Sequence, residues 1–155
     1  MSHKVFVYGT LKRGEPNYYW LTNKENGIGN YVTDGRTKTR YPLIIATKYN
    51  IPFLLHKPGS GHNVQGEIFE VDDIMLSKLD ILEDHPNYYI REIDEIMQKS
   101  VQCWVYFLKN FKEELLLRPR FESYSASGPH GLVYMDRSQR DPSYNSKAEI
   151  NDCPS

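Results

Sequence analysis

The chain has 155 residues, with 19 lysines and arginines against 20 aspartates and glutamates and a formal net charge of −1. This length suits a single domain, and the balanced charge lacks the large basic field that attracts nucleic acid or an anionic membrane surface. The first residues lack the long apolar core of a secretory signal, and no run of about 18 apolar residues follows. We therefore expect a cytosolic protein with a small-molecule partner, which binds neither nucleic acid nor membranes.

The first predicted element is a buried strand that ends in a glycine-containing turn. Val5, Phe6 and Val7 form a short run of β-forming residues, and the sequence Tyr-Gly-Thr-Leu follows it directly. Gly9 permits a backbone angle or a close approach that a Cβ atom would obstruct, so backbone N–H groups here are suited to bind a small anionic or carbonyl group. An ordinary strand followed by a loop explains this segment equally well when it is taken alone.

The next part of the chain predicts a short helix and then several strands. Pro16 is suited to the first turn of a helix over 16–21. Turn residues then separate four short β-forming runs. These runs predict strands over 29–33, 43–46, 53–55 and 64–71.

The clearest helix is predicted over 73–84. Asp72 is a suitable N-cap, and Pro86 marks the end, because the residue before a proline is biased away from helical angles. At 100° per residue, four apolar side chains form a single stripe along this helix. They are Met75, Leu76, Leu79 and Leu82.

One acidic residue, Glu83, lies on this apolar stripe. It follows Leu79 by four residues, so its carboxylate is expected to face apolar surroundings, and it lies at the helix C-terminus, where the macrodipole disfavours negative charge. Both influences predict a raised pKa for Glu83, which a group that exchanges protons near neutral pH requires. In the alternative interpretation, Glu83 pairs with an arginine such as Arg91 and only anchors the end of the helix.

The C-terminal part predicts two more strands, over 88–97 and 101–108, a helical turn over 113–117 and a loop of turn residues over 123–131. Six or seven short strands with one clear helix predict an α+β fold, a small mixed β-barrel with a few flanking helices. No internal domain boundary is evident. We expect one domain over 1–135 and a polar, mobile tail over 136–155.

Other chemistries have little support. The serines near His130 lack a Gly-x-Ser-x-Gly elbow, Gly27-Ile28-Gly29 lacks the third glycine of a dinucleotide-binding turn, and the histidines have no metal-ligand spacing. The two cysteines, Cys103 and Cys153, are poorly suited to pair, which fits reduced thiols in the cytosol. We therefore expect no metal and no cofactor.

With the turn and Glu83 identified, the chain resembles the γ-glutamylcyclotransferase-like (AIG2-like) family over most of its length, to about Tyr134. The sequence Tyr-Gly-Thr-Leu is specific to this superfamily, whereas the residues next to Glu83, Leu82 and Asp84-His85, depart from the form typical of the family without changing the acid itself. The matching segments are VFVYGTLKRG (5–14), PN (16–17), NIP (50–52), LLH (54–56), PGSG (58–61), GE (66–67), VQC (101–103), SY (123–124) and GPHGL (128–132).

The resemblance implies a β-barrel flanked by helices, and an enzyme that cyclises a γ-glutamylamine to 5-oxoproline with release of the amine. The typical substrate is γ-glutamyl-ε-lysine, which remains when transglutaminase crosslinks are degraded. By position, Glu83 matches the catalytic acid/base of the family. The matching substrate-binding turn is Tyr8, Gly9, Thr10 and Leu11.

The substrate and the assembly stay open at this point. γ-Glutamyl amino acids or glutathione are alternative substrates, and a non-catalytic module that binds a small carboxylate is an alternative function. Tyr89 and Tyr124 are candidates for pocket walls, although packing in the core explains each equally well. We expect the protein to act as a monomer.

Overall fold

The structure is a computed structural model that describes residues 2–97, 101–126, 128, 130–135, 140 and 150–151. Its strands and α-helices are, in chain order, β1 (Ser2–Val7), α1 (Tyr19–Thr22), β2 (Gly29–Arg36), β3 (Leu43–Ala46), β4 (Ile51–Leu54), β5 (Gln65–Asp72), α2 (Asp73–Leu82), β6 (Ile90–Ile96) and β7 (Val101–Phe107). Two short 3₁₀ helices, Lys24–Asn26 and Glu113–Leu117, complete these elements. Each predicted strand and helix corresponds to one of them; the bounds 43–46 and 113–117 match, and the other elements have shifted ends.

Five strands form the main sheet in the order β2-β5-β1-β7-β6, and β3 pairs with β4 in a separate two-stranded sheet. The predicted first strand is central because Val5, Phe6 and Val7 are buried, and Val5 pairs with Phe69 of β5 and with Trp104 of β7. Only the β1–β7 pairing is parallel; the other pairings in the sheet are antiparallel. The C-terminal ends of β1 and β7 therefore lie at the same edge of the sheet.

The two outer strands of the main sheet, β2 and β6, approach each other at a single point. Thr37, just after β2, forms an isolated bridge with Ile96. Backbone hydrogen bonds flank it, from the Lys38 N–H to the Glu95 carbonyl at 3.2 Å and from the Met97 N–H to the Arg36 carbonyl at 2.8 Å. The α+β class is confirmed. The described strands form an open sheet whose outer strands share one bridge, so a closed barrel stays a prediction.

Helix α2 begins and buries its apolar side chains as predicted. The Met75 N–H donates to Oδ1 of Asp72 at 2.8 Å, which confirms the N-cap, and the four residues of the apolar stripe are all buried. The helix ends at Leu82, two residues earlier than predicted, because Asp84 has a φ of 53° and leaves the helical conformation. Glu83 is therefore the C-cap residue of α2.

The predicted tail over 136–155 lies almost entirely outside the described residues. Two described residues within it contact the domain: Ile150 is buried and accepts a backbone hydrogen bond from Lys112 at 2.8 Å, and Arg140 is discussed below. The boundary at residue 135 stays a prediction. In the described part of the chain, the helices are too short and too polar to span a membrane.

Candidate active site

A cavity of about 330 Å³ opens at the edge of the sheet where β1 and β7 end. Its volume lies in the range of small-molecule sites. The structure brings all five predicted site residues to this cavity, although they come from two distant parts of the sequence. Glu83 lines one side, and Tyr8, Gly9, Thr10 and Leu11 line another.

The turn after β1 is held in place by hydrogen bonds and by core packing. Asn17 contacts Thr10 twice: its N–H donates to the Thr10 carbonyl at 2.8 Å, and its Nδ2 donates to Oγ1 at 2.9 Å. The Lys12 N–H closes the turn onto the Gly9 carbonyl at 3.2 Å, and the Leu11 side chain packs in the core. The backbone of the turn is therefore fixed before any ligand arrives.

Three N–H groups of this turn are candidate donors to a ligand. Among the described residues, no group accepts a hydrogen bond from the N–H of Gly9, Thr10 or Leu11. Gly9 itself is closely approached, since a Cβ atom there would lie 3.0 Å from Cγ of Pro52. Buried N–H groups are costly to leave unpaired, and a cluster of them favours an anionic or partly charged oxygen.

Glu83 lies at the end of α2, where backbone hydrogen bonds fix its position. Its N–H donates to the Leu79 carbonyl at 2.9 Å, and its carbonyl accepts from the Tyr89 N–H at 3.3 Å. The side chain is partly buried and lines the cavity. Burial raises the pKa of Tyr8 and of Tyr106, and the negative charge of Glu83 raises both further. The predicted rise in the pKa of Glu83 itself stays a prediction.

The alternative in which Arg91 pairs with Glu83 is wrong. The Arg91 guanidinium donates instead to both carboxylate oxygens of Asp80, from Nε at 2.7 Å and from Nη2 at 3.0 Å. The Tyr106 hydroxyl also donates to Asp80, at 2.7 Å. Asp80 therefore ties α2 to β6 and β7, whereas the pairing of Glu83 with another arginine stays open.

The tyrosines around the cavity differ in role. The Tyr8 hydroxyl donates to the Tyr106 carbonyl at 2.7 Å, which fixes the side chain that precedes the turn. Tyr89 lines the cavity and stacks on Phe53 with ring centroids 5.9 Å apart. Tyr124 is buried and stacks on a histidine at 6.2 Å, outside the cavity lining, so of the two candidate walls only Tyr89 lines the site.

Three further residues of the site have no predicted role in the sequence analysis. Asn17, Tyr134 and Arg140 line the cavity next to the turn and are joined by hydrogen bonds. Asn17 lies in one of the segments that carry the family resemblance, but no spacing or periodicity indicates a role for it. In the described ranges, no group of three histidine, cysteine or acidic side chains is placed to hold a metal ion.

Comparisons with known proteins find similar sequences over most of the chain. A model of the family described as gamma-glutamyl cyclotransferase, AIG2-like, matches residues 5–126. The chain is 45% identical over 150 residues to the mouse gamma-glutamylaminecyclotransferase, covering 90% of this chain and 100% of that one. It is 53% identical over 127 residues to a Drosophila melanogaster protein that is provisionally named a gamma-glutamylcyclotransferase, covering 80% of this chain and 81% of that one.

A similar structure has also been solved. The crystal structure of a mouse AIG2-like protein superimposes with a TM-score of 0.86 at 43% sequence identity, covering 90% of this chain and 99% of that one.

Proposed function

The chain belongs to the gamma-glutamyl cyclotransferase, AIG2-like family, and we propose that it is a γ-glutamylamine cyclotransferase that converts γ-glutamyl-ε-lysine to 5-oxoproline and free lysine. One observation carries the proposal: Glu83 lines the same cavity as three residues of the turn whose N–H groups have no acceptor among the described residues. This pairs a group able to move a proton with groups able to stabilise negative charge on oxygen.

The reaction suits a site of this kind because nucleophile and electrophile belong to one molecule. The α-amine attacks the γ-carbonyl carbon, a C–N bond forms in a five-membered ring, and the amide bond from that carbonyl carbon to the leaving amine nitrogen then breaks. Holding the substrate in a bent conformation brings these atoms together, and such positioning is worth about 7–11 kcal/mol in favourable cases. The reaction therefore needs no nucleophile from the enzyme.

Glu83 acts in this scheme as the proton carrier. The α-amine is protonated at neutral pH and must lose a proton before it attacks, while the leaving amine must gain one. A carboxylate that lines the cavity accepts the first proton and donates the second, a contribution of about 10²–10⁴-fold in rate.

The turn after β1 binds an oxygen of the substrate. The N–H groups of Gly9, Thr10 and Leu11 hold either the glutamyl carboxylate or the oxygen that becomes negative during attack, and the buried position of Gly9 strengthens these hydrogen bonds. A single donor to such an oxygen contributes about 10²–10³-fold in rate.

A three-substrate assay tests the proposal. The protein is incubated with γ-glutamyl-ε-lysine, γ-glutamyl-alanine and glutathione, and 5-oxoproline is followed by mass spectrometry. We expect the highest kcat/KM with γ-glutamyl-ε-lysine. Faster turnover of γ-glutamyl-alanine or glutathione would instead support a γ-glutamylcyclotransferase, a second candidate favoured by the name of the Drosophila relative at 53% identity.

A non-catalytic carboxylate-binding module is the remaining alternative, and substrate binding without product would support it. We further propose that the enzyme acts as a monomer in the cytosol. The described residues of one chain supply both Glu83 and the turn after β1 to the cavity, and Cys103 is a buried free thiol. Size-exclusion chromatography with light scattering would detect a dimer, which would contradict the monomer. Fractionation of cells would detect a location other than the cytosol.

A further inference from the structure

Arg140 brings a positive charge to the cavity. It is the only cationic side chain among the described residues that line it, whereas Glu83 and Asp84 supply negative charge at the end of α2. A γ-glutamyl substrate has charges of both signs on one carbon, the α-ammonium and the α-carboxylate. The two kinds of charge in the cavity match this pair.

The guanidinium of Arg140 is held by contacts to a neighbouring segment. Its Nη2 donates to the Tyr134 hydroxyl at 2.8 Å and its Nε donates to the Met135 carbonyl at 3.0 Å. The guanidinium carbon lies 5.3 Å from the ring centroids of both Tyr49 and Tyr134. Arg140 is therefore positioned at the cavity without an ion pair to a carboxylate in the described part of the chain.

Two hydrogen-bond donors, one on Arg140 and one on Tyr134, have no acceptor in the described part of the chain. The Tyr134 oxygen accepts from Arg140 and from Nδ2 of Asn17, the latter at 3.1 Å, so its own proton is left to donate. Nη1 of Arg140 has no acceptor among the described residues. A carboxylate presents two oxygens, and a guanidinium beside a hydroxyl is suited to bind it.

We propose that Arg140 and Tyr134 bind the glutamyl α-carboxylate of the substrate, which leaves the N–H groups of the turn for the γ-carbonyl oxygen. This inference rests on the proposed function. It is carried by the link through Asn17, whose Nδ2 joins the Tyr134 hydroxyl to Oγ1 of Thr10 and so places the carboxylate site beside the turn.

The geometry of ring closure favours the glutamyl carboxylate over the carboxylate of the departing lysine. When the substrate bends to form a five-membered ring, the α-carboxylate stays on the carbon that carries the attacking amine. It must then lie close to both the reacting carbonyl and the proton carrier. The lysine carboxylate is separated from the reacting carbonyl by the whole lysine side chain, so a site next to Thr10 does not suit it.

The test compares two substrates that share the glutamyl carboxylate. γ-Glutamyl-ε-lysine has a second carboxylate on the leaving amine, and γ-glutamyl-n-butylamine does not. We expect Arg140→Gln to raise KM about tenfold for both, with kcat within about twofold, because a charge-assisted hydrogen bond that binds substrate and transition state equally is lost. Arg140→Lys should recover part of the loss. The control Arg40→Gln alters an exposed arginine outside the cavity and should change neither constant.

Three outcomes would overturn the inference. A rise in KM confined to γ-glutamyl-ε-lysine would assign Arg140 to the lysine carboxylate. An unchanged KM for both substrates would remove Arg140 from binding. An unchanged KM in Tyr134→Phe, which retains the ring but lacks the hydroxyl, would remove the second donor.

The failure of the proposed function would be distinguishable from the failure of this inference. Wild-type protein that forms no 5-oxoproline from any substrate would contradict the proposed function but not the binding role of Arg140. In that case calorimetric titration with L-5-oxoproline, which has the same carboxylate, still tests the site. Tenfold weaker binding by Arg140→Gln than by wild type would support the inference, whereas equal binding, or none to wild type, would contradict it.

Discussion

The two sides of the cavity are built from different groups. The turn side presents backbone N–H groups, held by Asn17 and by the core, whereas the helix side presents one carboxyl group, Glu83, at the end of α2. Backbone N–H groups keep their charge distribution at every pH, but a carboxyl group gains and loses a proton. We therefore expect the turn to stabilise charge on oxygen and Glu83 to make the reaction depend on pH.

Replacement of Glu83 tests the difference between the two sides of the cavity most directly. Glu83→Gln keeps the size of the side chain but cannot accept the proton of the α-amine. We expect kcat to fall by about 10²–10⁴-fold, with KM changed much less. The acidic limb of the pH profile of kcat/KM should also disappear. Steady-state kinetics from pH 5 to pH 9 measure both effects.

A matched control accompanies this variant. Glu114→Gln makes the same chemical change on an exposed residue of the 3₁₀ helix Glu113–Leu117 and should behave as wild type. If the kcat of Glu83→Gln, like that of Glu114→Gln, stays within a few-fold of the wild-type value, another group must move the proton.

Replacement of Gly9 tests the other side of the cavity. In Gly9→Ala the new Cβ atom would lie 3.0 Å from Cγ of Pro52, so the turn or the proline must shift by a few tenths of an ångström. We expect kcat/KM to fall about tenfold, because a misaligned donor stabilises the developing charge less well. Unlike Glu83→Gln, this variant should keep the pH profile of the wild type, since the proton carrier is intact.

Gly29→Ala is the control for folding. Its Cβ atom would also lie 3.0 Å from its nearest neighbour, the Leu21 carbonyl oxygen, but Gly29 does not line the cavity. Both variants should lose similar thermal stability, and only Gly9→Ala should lose activity. Equal kcat/KM in the two variants would remove the turn from the mechanism.

The same comparison explains how much of the site the sequence predicts. The turn and Glu83 are predictable because each depends on a local pattern: an apolar strand that stops at a glycine, and an acid on the apolar stripe of a helix. The Tyr134 hydroxyl meets Asn17 across 117 residues of sequence, and no local pattern encodes that contact. The partner of Arg91 is Asp80 and not the Glu83 of the alternative interpretation, because helical spacing does not determine which acid a neighbouring strand faces.

The strands follow the same rule. Short apolar runs predict where strands lie, and the observed strands confirm them. The approach of β2 to β6 depends on the twist of the whole sheet and on where Thr37 meets Ile96. Local sequence patterns therefore do not predict whether the sheet closes.

Replacement of Asp80 has the smallest expected effect on activity. It tests whether the contacts that hold α2 can be weakened without loss of the chemistry at the end of the helix. Asp80→Asn keeps the shape of the side chain but removes the charge that binds Arg91 and Tyr106. We expect a loss of about 1–3 kcal/mol in the free energy of unfolding, which lowers Tm by roughly 2–4 °C per kcal/mol in a domain of this size. Turnover should stay within a few-fold of wild type, because Glu83 keeps its carboxyl group.

The pH dependence of this loss identifies its cause. Partial burial favours the neutral acid, but hydrogen bonds from Arg91 and Tyr106 hold the pKa of Asp80 below its ordinary value. A lowered pKa stabilises the folded state above the unfolded pKa of about 3.9, and this stabilisation is lost as pH falls through the folded pKa. The difference in unfolding free energy between wild type and Asp80→Asn should therefore be constant near neutral pH and shrink below about pH 4.

Asp34→Asn is the control, at an exposed ion pair 3.6 Å from Arg13, and should lower the free energy of unfolding by less than about 1 kcal/mol. A difference for Asp80→Asn that does not shrink with acid would mean that the side chain supports α2 through packing and not through its charge.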